Sequence, residues 1–165
     1  MGVLTCVYQV PVDVLKQFQK STKKLDFLIF SQGVSAEDLG QASTWKPNAC
    51  AFDKTWEDLM SILRQLGHHK AGSILEHGGS SLHASSSDIY CRYWRKTKLK
   101  QVQASLKGIT ATQLKEKAAK KADLTNWNGD PAYDMLDYYL QSFNQLSAMI
   151  DNAIEQGDAL IAVSS

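Results

Sequence analysis

Four histidines, His68, His69, His77 and His83, fall within sixteen residues, with Glu76 and Asp88 close by. Imidazole nitrogen and carboxylate oxygen both bind zinc, and three such ligands with an open fourth position make a hydrolytic centre. Two features oppose that reading. His68 and His69 are adjacent, and neighbours on a regular element do not aim at one atom. Neither an HExxH helix nor a paired-cysteine spacing is present. The plainer reading is a set of solvated histidines on a polar loop, so no metal and no cofactor are expected. The competing reading is a small hydrolase or ligand-binding enzyme that uses His68, His77 or His83 of the 67–88 loop. Cys91 offers a nucleophile beside Arg92, and a positive neighbour lowers a thiol pKa. Its base would again have to be one of those histidines. Cys6, Cys50 and Cys91 read more simply as buried structural thiols. Gly78-Gly79-Ser80-Ser81 has backbone N–H groups for a phosphate, but no Walker lysine or GxGxxG pattern surrounds it. Asp134 and Asp137 share a face at the start of a predicted helix, where its dipole already favours negative charge. No constellation dictates a reaction.

Charge is more informative. The chain has 165 residues, with Lys+Arg at 18 and Asp+Glu at 17, a formal net charge of +1. That near-neutrality hides a strong segregation. Residues 92–121 hold ten bases and one acid, Glu116; residues 122–165 hold seven acids and no base. The basic segment sits beside Tyr90, Tyr93 and Trp94, a mixture that can grip phosphates and stack bases. However, lysine outnumbers arginine eight to two there, which suits a solvated helix face better, and nucleic acid is not the expected partner. Two outcomes remain open: the basic and acidic segments neutralise each other, or they face outward and steer a charged protein partner.

The composition, 44% hydrophobic and 21% charged, excludes a disordered chain. Three scattered cysteines exclude a disulfide framework and suggest free thiols in a reducing, cytoplasmic setting. The first residues lack a basic n-region, Cys6 stands where a myristoylation pattern wants Ser or Thr, and no apolar run is long enough to span a membrane. One domain over 1–165 is expected.

The elements that must position these residues are legible in part. Residues 3–10, rich in Val and Tyr, predict an interior strand ended by Pro11, and a helix follows to about residue 20. Residues 25–30 are an apolar run of ambiguous type, and 31–50 are loop-rich. Asp53 caps a helix carrying Trp56, Leu59, Met60, Leu63 and Leu66, stopped by Gly67. The stretch 67–88, with four glycines and six serines, predicts a long polar connection. Residues 88–94 predict a strand, and Thr97 opens a helix to Gly108. Thr110-Ala-Thr-Gln113 is a capping box, with Ile109 placed to staple onto Leu114. Asn126-Trp127-Asn128-Gly129 is a turn and Asp130-Pro131 a helix entry. A long helix follows, striped by Leu136, Leu140, Phe143, Leu146, Ile150 and Ala153 and ended by Gly157. Residues 159–163 form a closing strand, expected centrally and beside the first. The order predicts an α/β fold, a small mixed sheet with helices on its faces.

With those motifs in place, the chain resembles the YfbM-like bacterial proteins, a family described as a domain of unknown function. Four stretches carry the likeness: Met1-Gly2-Val3-Leu4 through Val14; Phe52-Asp53-Lys54-Thr55-Trp56 and its helix to Gly67; Ile109-Thr110 into Leu114; and Leu146 through Gln156-Gly157-Asp158-Ala159-Leu160-Ile161. Met60 replaces a histidine common in that family, and Arg95-Lys96-Thr97-Lys98 replaces a Leu-Thr-Pro step with acidic residues. The resemblance implies a three-layer α/β sandwich and brings no activity. The resulting expectation is a non-catalytic domain that binds another protein, with a regulatory or toxin-neutralising partner as one concrete form. Its candidate binding residues are Arg92, Trp94, Arg95, Lys96 and Lys98, joined by Asp53, Lys54 and Trp56 of the tryptophan motif.

Overall fold

The computed structural model describes residues 4–31, 48–53, 55–121 and 135–165. In chain order these form β1 (Thr5–Val10), α1 (Val12–Lys20), α2 (Thr22–Ser31), β2 (Asn48–Asp53), α3 (Thr55–Gln65), α4 (His69–His77), β3 (Ser80–Leu82), β4 (Tyr90–Trp94), α5 (Lys96–Leu106), α6 (Ala111–Ala119), α7 (Met135–Gln156) and β5 (Ala159–Ser164). The strands make one sheet in the order β2-β1-β5-β4-β3. Each of its pairings is antiparallel, so the sheet has one direction type where a mixed one was expected. The closing strand is central and lies beside β1, with Val7 opposite Ala162 and Tyr8 opposite Ile161.

Period-two alternation divides the core into two layers of side chains. From β5, Leu160 and Ala162 point to a large cluster with α3 to α7, whereas Ala159, Ile161 and Val163 point to a smaller one under α1 and α2. Both faces of β5 are buried, which is why it reads as an unbroken apolar run. Helices therefore cover both faces of the sheet, giving the three-layer sandwich.

Helix ends follow local chemistry. Gly157 has φ +77°, and the Asp158 N–H beyond it reaches the Ala153 carbonyl at 2.8 Å, a Schellman closure. The capping box forms as read: the Gln113 N–H donates to Thr110 Oγ1 at 3.2 Å, and the Thr110 N–H donates to Gln113 Oε1 at 2.9 Å. Replacing Thr110 with Ala orphans one of those donors and should lower stability by about 1 kcal/mol, read as a shift in the urea midpoint. Thr110→Asn should keep most of it.

Two further expectations are corrected and one open reading is settled. The 67–88 connection contains α4 and β3, because Ala71, Ile74 and Leu75 supply an apolar face that its polar composition masks. Gly72 permits the close seating of that helix: a Cβ there would stand 2.8 Å from Arg64 Cγ and 3.1 Å from the Met60 carbonyl oxygen. The ambiguous 25–30 run belongs to α2, where Leu25 and Leu28 are fully buried. Residues 48–50, assigned to a loop, begin β2. The 126–129 turn, the Asp130-Pro131 entry, Asp134, Trp45 and Trp127 lie outside the described residues. No helix among the described residues is long and apolar enough to cross a membrane.

Candidate functional site

Strand parity assembles the site. Tyr90, Arg92 and Trp94 alternate along β4 and so project to one side of the sheet, the side that α3 and α4 cover. There they join Thr5 of β1, Ala162 and Ser164 of β5, Trp56 and Glu57 of α3, and Leu75, Glu76 and His77 of α4, around a cleft of about 300 Å³. Trp94 is 1% exposed and forms its floor. The indole N–H donates to the Ile74 carbonyl at 2.7 Å, which fixes the end of α4 over the sheet. Trp56 packs beside it at 6.2 Å between ring centroids and meets Phe52 edge-on at 5.4 Å. Tyr90 stands at the mouth with 69% of its surface exposed.

The charges of the cleft are unequal in their commitments. Glu76 is held by an ion pair with Arg64, and His77 Nε2 lies 3.3 Å from the same carboxylate oxygen. Arg92 and Glu57 form no ion pair with any described residue. The Thr5 and Ser164 hydroxyls share a 2.8 Å hydrogen bond at one end.

The eight nominated residues thus separate. Arg92, Trp94 and Trp56 meet in the cleft. Arg95 turns away: its Nη2 donates to Gln19 Oε1 of α1 at 3.3 Å, and the guanidinium lies 5.8 Å from the Tyr93 ring centroid. Lys96 and Lys98 are exposed in the first turn of α5. Asp53 ends β2 opposite Thr5, its side chain lying outside the described residues together with Lys54. Tyr90, Glu57, Thr5 and Ser164 were not nominated. Tyr90 shares the parity of Arg92 and Trp94, a signal present in the sequence; Thr5 and Ser164 need the strand register, and Glu57 needs the packing of α3 over the sheet.

The histidines diverge. His68 is buried at the start of α4, with Nδ1 3.2 Å from the Ser105 carbonyl oxygen. His83 lies on the other side of the sheet, beside Phe18, Lys20 and Lys23. No group of three metal-ligating residues forms among the described residues. The Cys91 thiol is not activated either. Burial, and behind it the Asp26 carboxylate, pushes the Cys91 thiol up to about 11. Parity explains why Arg92 does not lower it: the two side chains leave β4 on opposite faces.

Burial lowers the His68 pKa, with Lys117 and His69 adding repulsion against a partial offset from the Ser105 carbonyl. A depressed histidine pKa means the unfolded chain takes up the proton first. Stability should therefore be full above about pH 6.5 and fall as pH drops from there toward the lower folded-state pKa. Urea midpoints at several pH values should show that limb, and His68→Gln should flatten it.

Comparison with known proteins agrees with this architecture. The crystal structure of a protein of unknown function, YfbM from Escherichia coli, superposes with a TM-score of 0.60 over 98% of this chain and 99% of that one, at 12% sequence identity. No curated protein matches the sequence. The family model described as a domain of unknown function, DUF1877, matches residues 1–163. The chain belongs to the DUF1877 family.

Proposed function

We propose that this protein is a non-catalytic binding domain that recognises an acidic partner protein through the basic face around the start of α5. One observation carries the reading. Among the described residues, a single ion pair, Lys115 with Asp137 at 2.6 Å, joins the basic segment to the acidic one. Arg95, Lys96, Lys98 and Lys100 remain exposed and form no ion pair with a described residue. A cluster of one sign that the fold does not neutralise attracts an opposite surface and favours one orientation of encounter. The hydrolase alternative loses support because His68, His77 and His83 do not converge and the Cys91 thiol stays protonated. Three free cysteines suit a reducing compartment, and the cytoplasm is the proposed setting.

The test is capture from native lysate at low and high salt, with and without nuclease, followed by identification of what is retained. An acidic protein held at low salt should lose roughly tenfold in affinity for the triple variant Lys96→Glu, Lys98→Glu, Lys100→Glu. Capture that the triple variant leaves unchanged overturns this assignment of the face. Retention that nuclease abolishes transfers it to nucleic acid.

A further inference from the structure

None of Arg95, Lys96, Lys98 and Lys100 lines the cleft over β4, which holds its own chemistry. Of its charged groups, Glu76 is engaged by Arg64 and His77. Arg92 rises from the sheet and Glu57 from the first turn of α3, so a cation and an anion line one cleft from different elements. They do not pair with each other, and neither has another ionic partner among the described residues. A molecule of the same two charges in reversed order would satisfy both. Arginine's planar fork matches a carboxylate in two parallel hydrogen bonds. In the Thr5–Ser164 hydroxyl pair one hydrogen bonds the partner oxygen, and the other hydroxyl hydrogen can turn to an acceptor. Tyr90, largely exposed at the mouth over a floor closed by the buried Trp56 and Trp94, gives an aromatic wall that suits an apolar stem and favours a nearby ammonium. The Trp94 ring is buried and its N–H is committed to Ile74, so it closes the floor and offers no donor.

We infer that this cleft binds a small zwitterion, an α-amino acid or a compound of the same charge pattern, with its carboxylate on Arg92 and its ammonium on Glu57. The volume, about 300 Å³, is at the small end for ligand pockets and fits one residue-sized molecule. An aromatic or branched side chain should add affinity over glycine.

The test is calorimetric titration of the intact protein with L-phenylalanine, L-leucine and glycine. Each is compared with its N-acetyl derivative, which lacks the ammonium, and its amide, which lacks the carboxylate. Saturable binding by phenylalanine or leucine is expected, weakened at least about tenfold by either modification. Arg92→Met should remove binding and Glu57→Gln should weaken it several-fold, with thermal unfolding as the check that each variant folds. Should Arg92→Met fail to fold, Glu57→Gln and the modified ligands on the unaltered protein still decide. Absence of saturation by any of the three amino acids overturns the inference. So does equal binding of the acetylated or amidated forms. These outcomes are independent of partner capture by the basic face.

Discussion

Trp94→Ala should cost about 3–5 kcal/mol of folding stability and shift the urea midpoint by more than any change at the surface. The residue is 1% exposed and packs against Trp56 at the centre of the larger core. Removing it leaves a void between the sheet and two helices, and the neighbours are themselves held: Trp56 by Phe52, α4 by its seating on α3. Cavities that cannot collapse are the costly ones. Trp94→Phe separates the ring from its N–H. The Ile74 carbonyl also accepts from the Gly78 N–H at 2.9 Å, so it is not orphaned when the indole donor is lost. The Phe variant should therefore lose about 1 kcal/mol for the hydrogen bond, plus whatever the smaller ring leaves unfilled. A Phe variant as unstable as the Ala variant would show that the N–H, not the packing, holds α4 in place.

The second large effect lies two residues beyond α4. A methyl group on Gly79 would stand 2.9 Å from Trp94 Cε2, 3.0 Å from Trp94 Nε1 and 3.1 Å from Arg92 Cβ. The indole cannot swing aside, because its N–H is tied to Ile74 and Trp56 packs beside it. The α4–β3 turn must lift instead. Gly79→Ala should cost about 1–3 kcal/mol, and Gly79→Val more, measured by urea or thermal unfolding. The same lift would displace Arg92, so an Ala variant that still folds should bind less well at the cleft. Unchanged stability in Gly79→Ala would mean that the turn is not seated on the indole as described.

What the sequence disclosed about this fold depended on whether the signal was local. Thr110 and Gln113 state their own conformation, because both partners of each hydrogen bond lie within four residues. The stripe on α7 and the glycine that ends it are legible for the same reason. α4 was hidden because its evidence is a short apolar face, Ala71, Ile74 and Leu75, embedded among serines, glycines and histidines. Only close seating on α3, which Gly72 of α4 permits, makes that face worth burying. The site shows the same division. Arg92 and Trp94 were nominated from composition, and their shared parity with Tyr90 could have been read from the alternation. Thr5 and Ser164 are separated by nearly the whole chain and meet only through strand register. Glu57 is an ordinary first-turn acid until α3 is laid over β4. Conversely, Arg95 stood in the same basic run as Arg92, yet it lies one residue past the end of β4, at the N-cap of α5, and its side chain reaches Gln19 of α1.

The place of β5 between β1 and β4 has a consequence for how the molecule comes into being. Before β5 is available, β2 with β1 and β3 with β4 are two separate ribbons, each too small to persist alone in water. Thr5 and Ser164 end up side by side, so the decisive pairing joins the ends of the described chain and carries a large loop-closure cost. During synthesis at roughly 5–20 residues per second, β1 must wait on the order of ten seconds for that partner. Pairings of such sequence separation also slow spontaneous folding. Over that interval the apolar edge of β1 is open to a chaperone or to a second nascent chain. The last strand acts as a zipper, and the three-layer core closes at a late, cooperative step.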